Sequence, residues 1–99
     1  MTFSRTDNGA DTVLRIEGSL DAVSTPQIRP VIDALVNERR MSIAVDLSSL
    51  RVIDSSGVGA IVSLYKRIRA LGGEVVVKGL RDQPLAIFRL LRLDRVLTA

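Results

Sequence analysis

The segment "IDSSGVGAIV", residues 53–62, sets a carboxylic acid, two hydroxyls and two glycines within six consecutive positions, Asp54 to Gly59. A nucleophile, a phosphate-binding loop, a helix cap and a site modified by another protein all call for residues of these types. A nucleophilic serine needs a base within hydrogen-bond reach. The chain has no His and no Cys, and Ser55 and Ser56 follow Ile53 and Asp54 instead of sitting at the centre of G-x-S-x-G. Catalysis by Ser55 is therefore not expected. Gly57 and Gly59 stand where a helix begins and could offer backbone N–H groups to a phosphate. Neither G-x-x-x-x-G-K-[ST] nor the third glycine of G-x-G-x-x-G is present, so nucleotide binding is not expected either.

A cap is a simpler use. Asp54 or Ser55 can accept from the first N–H groups of a helix, which is worth about 1 kcal/mol. That leaves the glycines unexplained, since each costs roughly 0.5–1 kcal/mol against alanine inside a helix. Close approach of another surface would reward them. A phosphorylation site is consistent with both features. A helix N-terminus tolerates an added phosphate, while about 1.5–2 new negative charges beside Asp54 would repel a partner docked on the glycines.

The flanking elements have to place this joint. "TFSRT" and "TVLRIEG" are strand candidates about a turn at Asp7-Asn8-Gly9, and Leu14 and Ile16 alternate with Arg15 and Glu17. Gly18 is expected to end the second strand. A helix follows, capped by Ser24 or Thr25, with Pro26 at its first position and Ile28, Val31, Ile32, Leu35 and Val36 on one face. Pro30 is expected to loosen or tilt its start.

"SIAVDL", residues 42–47, has the continuous apolar character of a strand buried in a parallel sheet. Asp46 and Ser48 organise its exit, and "SSLRVIDSSG" forms a polar interlude. The second helix carries Val58, Ile61, Val62, Tyr65, Ile68 and Leu71 on its inner face, with Lys66, Arg67 and Arg69 outside, until Gly72-Gly73 stops it. "EVVVKG" is another buried strand. Asp82 can cap a third helix that turns Leu85, Ile87, Phe88 and Leu91 inward and Arg89 and Arg92 outward, and "RVL" suits a terminal strand. The order β-β-α-β-α-β-α-(β) predicts one α/β domain over residues 1–99. Its mixed sheet of four or five strands is mostly parallel, opens on an N-terminal hairpin and packs against three main helices.

Composition narrows the function further. Ninety-nine residues, 46% hydrophobic, are enough for one packed domain. Without Cys or His only carboxylates remain as metal ligands, and no cofactor or metal is expected. The net charge is +3, but residues 1–50 carry 5 basic and 7 acidic side chains and residues 51–99 carry 9 and 4. The basic half could meet an acidic partner. Aromatics at 3% and the lack of a nucleic-acid-binding motif argue against DNA or RNA. The polar start has no apolar stretch of a signal peptide, and no run approaches the ~20 residues of a membrane span. A cytoplasmic location, without direct membrane insertion, is expected.

"VDLSSLRVIDSSGVGAIVSLYKRIRALGGEVVVKGL", preceded by "GSLDAVST" and followed by "LAIFRLLRLDRVL", resembles the STAS-domain family of bacterial anti-sigma factor antagonists over about residues 11–98. The D-S-S-G-V-G block is the most specific part. The resemblance implies partner switching. An unphosphorylated antagonist binds an anti-sigma factor, a serine kinase of GHKL type, and frees the sigma factor. The kinase turns the antagonist off by phosphorylating one serine, and a PP2C-type phosphatase restores it. The phosphoacceptor then falls on Ser55. Asp21 of G-S-L-D matches the acid beside that site, and Ser24 matches a hydroxyl position at the start of the first helix. Asp54 shapes the turn, and Ser56, Gly57, Val58 and Gly59 match the docking turn. The chain would be a substrate and not an enzyme. The same fold also serves as the small subunit of lipid-transporting ABC complexes or as another signalling scaffold, binding a permease without phosphorylation. The intact D-S-S-G favours the switching branch.

Overall fold

The computed structural model describes residues 1–97. The chain runs β1 (Thr2–Asn8), β2 (Asp11–Leu20), α1 (Thr25–Asn37), β3 (Ser42–Asp46), β4 (Leu50–Ile53), α2 (Ser55–Ala70), β5 (Glu74–Lys78), α3 (Asp82–Leu90) and α4 (Asp94–Leu97). The five strands form one open mixed sheet of order β1-β2-β3-β5, with β4 added beside β2. The β1–β2 hairpin is antiparallel and the remaining pairs are parallel, as the alternation of strands and helices predicts.

Period-2 patterning decides which face of the sheet is buried. Leu14 and Ile16 of β2, Ile43 and Val45 of β3, and Val75 and Val77 of β5 all turn into one core. The helices cover it with Ile28, Ile32 and Leu35 from α1, Ile61, Leu64 and Ile68 from α2, and Phe88 from α3. Among the described residues no helix is long and apolar enough to cross a membrane.

Several local expectations are corrected. Gly18 does not end β2. It adopts φ +88°, and there the strand shifts register as its partner changes from β3 to β4, so β2 continues to Leu20. The interlude before Asp54 contains a strand of its own, β4, whose Leu50 and Ile53 are buried. The terminal "RVL" belongs to the short helix α4, with Leu97 in the core. Leu91 lies just beyond α3 and is 49% exposed, so it does not face inward. Asp82 does not cap α3 with its side chain; it is the first residue of that helix and sits at φ +53°.

Pro30 lies inside α1, and the helix is continuous through it. Gly72 takes φ +89° after α2, where Gly72 N–H donates to Arg69 O at 2.9 Å and Gly73 N–H to Ile68 O at 2.9 Å. That closes the helix as the glycine pair predicts. Asp46 Oδ1 accepts from Ser48 N–H at 3.0 Å, the local turn expected at the exit of β3.

Candidate functional site

β4 delivers the chain to α2. Ile53 is buried beside Leu20 at the end of β2, and Asp54 N–H donates to Leu20 O at 3.2 Å. Asp54 then turns to extended backbone (φ −114°, ψ −174°) and becomes the N-cap of α2. Its Oδ1 accepts from Ser56 N–H at 2.8 Å and from Gly57 N–H at 3.1 Å. The first four N–H groups of a helix have no intrahelical acceptor. Three are thus provided for, those of Asp54, Ser56 and Gly57. The fourth belongs to Ser55.

The other carboxylate oxygen of Asp54 reaches a second loop. Oδ2 accepts from Ala22 N–H at 3.1 Å. That loop is closed by a reciprocal pair: Asp21 Oδ1 accepts from Val23 N–H and Ser24 N–H, each at 3.0 Å, and Ser24 Oγ accepts from Asp21 N–H at 2.9 Å. The Ser24 hydroxyl also lies 2.9 Å from Ser19 O, to which it donates. The Ser24 N–H, above all, holds the Asp21 carboxyl below the usual carboxylate range, against a smaller opposing push from burial. Asp54 therefore ties the exit of β2 to the start of α2.

The sequence-predicted site residues take different roles. Ser55 is exposed at the first position of α2, and Asp54, Ser56 and Asp21 are half-buried around it. Gly59 is exposed, and a Cβ added there would meet nothing within 4 Å. Gly57 faces inward. A Cβ there would lie 2.6 Å from Leu20 O and 2.7 Å from Ile53 Cγ1, so this glycine is required by the chain's own packing. Val58 is buried too, and its side chain belongs to the core instead of the surface. Ser24 is the residue before α1 but makes no side-chain cap; its hydroxyl is spent on Asp21 and Ser19. Thr25 is no cap either, and its Oγ1 is buried with no hydrogen-bond partner among the described residues.

Three residues outside that set also meet here. Ala22 donates to the cap. Val23 is 84% exposed at the tip of the same loop, the most exposed large apolar side chain among the described residues. Gln83 of α3 pairs with the backbone of Ile53: its Oε1 accepts from Ile53 N–H and its Nε2 donates to Ile53 O, both at 2.9 Å. A lone valine in a polar loop was the available signal for Val23. A glutamine in the first turn of a helix carries no signal of a partner thirty residues away.

The arrangement limits the chemistry of Ser55. Both oxygens of the neighbouring carboxylate already accept N–H donors, so Asp54 is a poor base for the Ser55 hydroxyl. What remains is an accessible hydroxyl at the positive end of a sixteen-residue helix. Such a group is suited to being modified from outside.

The STAS domain model matches residues 3–99. The chain belongs to the STAS domain family. Among the relatives of this STAS domain is the anti-sigma-B factor antagonist of Listeria monocytogenes, 24% identical over 82 residues, covering 83% of the chain and 72% of that protein. The anti-sigma F factor antagonist of Paenibacillus polymyxa is 35% identical over 66 residues, covering 66% of the chain and 56% of that protein. The solved structure of the Bacillus cell fate determinant SpoIIAA in its phosphorylated form superposes with a TM-score of 0.78 at 23% identity, covering 95% of the chain and 86% of that structure. That last likeness establishes the fold of the STAS domain, and the relatives named here are anti-sigma factor antagonists.

Proposed function

We propose that this STAS domain is a cytoplasmic anti-sigma factor antagonist whose binding is switched by phosphorylation of Ser55. Residues 1–99 act as one unit, and its unmodified form holds an anti-sigma factor that is also a GHKL-type serine kinase, releasing the sigma factor. The observation that carries this reading is the division of labour between Asp54 and Ser55: the acid does the capping, and the serine hydroxyl is left exposed at the helix start.

The modification is a phosphoryl transfer. Ser55 Oγ forms a bond to the γ-phosphorus of ATP held by the kinase, the β–γ bridging bond breaks, ADP leaves, and the hydroxyl proton passes to a base of the kinase. The product is tolerated by its own fold, since an anion at a helix N-terminus is favoured by about 0.3–1 kcal/mol. It is not tolerated by the docked partner. About 1.5–2 negative charges join those of Asp21 and Asp54 on the surface that offers Val23 and Gly59. A PP2C-type phosphatase reverses the step by hydrolysis. In this reading the ATP site and the base belong to the kinase, and the domain acts as a substrate and binding partner.

Binding to an anti-sigma serine kinase of GHKL type tests this reading. Ser55→Ala should bind like the unmodified chain and Ser55→Asp at least tenfold more weakly. Equal binding by both variants, or stable co-purification with a permease that Ser55→Asp leaves intact, would contradict it.

A further inference from the structure

Among the described residues, β4 is a short strand paired only with β2. β2 takes one side, through the parallel pairing of Leu20 with Ile53 and the bond from Asp54 N–H to Leu20 O. The opposite edge presents the N–H and C=O of Ile53 as an unpaired backbone unit. Gln83 fills that position. Its carboxamide has the same donor and acceptor arrangement as a peptide group, and it meets both atoms of Ile53 at 2.9 Å. The side chain thus stands in for one residue of a missing neighbouring strand.

Ile53 is two residues before Ser55 and one before the capping carboxylate. Its side chain is buried, and its Cγ1 packs against the position of Gly57. The path into the phosphoacceptor is therefore held from two sides, by the end of β2 and by α3. We propose that Gln83 is a positioning residue for the switch: it fixes Ile53 and, through Asp54, the placement of the Ser55 hydroxyl that the partner kinase must reach. The kinase part of this inference rests on the proposed phosphorylation of Ser55; the positioning part does not.

The test compares the wild-type chain with Gln83→Leu and Gln83→Glu. The leucine variant keeps the bulk and removes both hydrogen bonds. The glutamate variant carries its own control. A protonated carboxyl can donate to Ile53 O and accept from Ile53 N–H, whereas a carboxylate only accepts and faces the Ile53 carbonyl with like charge. Its ordinary pKa of about 4.3 places the change between about pH 3.5 and pH 5.5.

Amide exchange of Ile53, read by NMR, should be at least tenfold faster in Gln83→Leu than in the wild type. The excess over amides of β3 separates this from global loss of stability. In Gln83→Glu, Ile53 protection relative to wild type should recover near pH 3.5 and be lost near pH 7. With the kinase and ATP, Gln83→Leu should lower kcat for Ser55 phosphorylation severalfold while KM changes less than twofold. Wild-type protection of Ile53 in Gln83→Leu would overturn the positioning role. Normal protection loss with unchanged kcat would overturn its link to the switch. A wild-type chain that accepts no phosphate overturns the switch reading instead, and the exchange data then judge the positioning role alone.

Discussion

The carboxylate of Asp54 accepts from Ala22 N–H at 3.1 Å, although the two residues lie on different connections of the fold. Its other oxygen caps α2 through Ser56 and Gly57. One side chain therefore fixes the start of the helix that bears Ser55 and the loop that carries Val23. The surface around Ser55 is assembled by this link.

Asp54→Ala removes the cap and the link together. A cap alone is worth about 1 kcal/mol and up to about 2, and unfolding in denaturant should show a loss in that range. Asp54→Asn keeps one carbonyl oxygen for the helix but has no second acceptor for Ala22. It should lose less stability than Asp54→Ala while still shifting the Ala22 amide resonance. Equal losses in the two variants would contradict a divided role for the two oxygens.

The two glycines are expected to part company on substitution to alanine. Gly57→Ala places a Cβ against Leu20 O and Ile53 Cγ1, and overpacking of that kind costs about 1–3 kcal/mol. Gly59→Ala meets nothing within 4 Å and gains about 0.5–1 kcal/mol from helix propensity. Thermal unfolding should move in opposite directions. If a partner docks flush on the exposed glycine, Gly59→Ala will bind it more weakly despite its higher stability.

Thr25 offers a stabilising change. Its hydroxyl is buried in the first turn of α1 without a partner among the described residues, and an unsatisfied buried polar group costs about 1–3 kcal/mol. Thr25→Val keeps the branched shape and removes the oxygen. The midpoint of unfolding should rise or stay level. A clear fall would mean that the hydroxyl has a partner in solution.

Much of this architecture is legible in the sequence because it rests on periodicity. The alternation in "TVLRIEG" and the apolar runs at 43–47 and 75–77 lead to the sheet, and the spacing from Val58 to Ile68 leads to α2. β4 escapes such reading since four residues, with two exposed between two buried, fall below any usable period. The C-terminal "RVL" is ambiguous for the same reason of length. At the site, the acid and hydroxyls announce a helix start, but their pattern does not divide capping from exposure. That division comes from the extended backbone of Asp54. The inward role of Gly57 depends on Leu20, which is distant in sequence, and the Gln83 contact depends on α3 folding back over β4. These are tertiary facts with no local signature.

A cluster at the far end of α1 contributes to acid stability. The Arg5 guanidinium bonds the Glu38 carboxylate at 2.7 and 2.9 Å and the Asp7 carboxylate at 3.0 Å, tying β1 to the end of the helix. Bonding to Arg5 is the main cause that holds both carboxyls below their ordinary values. Groups lowered in the folded state stabilise it above their unfolded pKa values of about 3.9 and 4.3, and that contribution fades as pH falls through the folded values. Arg5→Gln should therefore flatten the decline of the unfolding midpoint between pH 5 and pH 2. An unchanged decline would place the acid sensitivity elsewhere. Added salt should shrink the difference, because the cluster is exposed.

The proposed switch rests on Ser55 as the residue on which the partner kinase acts. Incubating the chain with that kinase and ATP, followed by peptide mass spectrometry, tests it most directly. One phosphate should appear, located on Ser55 and not on Ser56 or Ser24, and Ser55→Ala should take none. Phosphate on another residue, or no phosphate on the wild-type chain, would contradict the account.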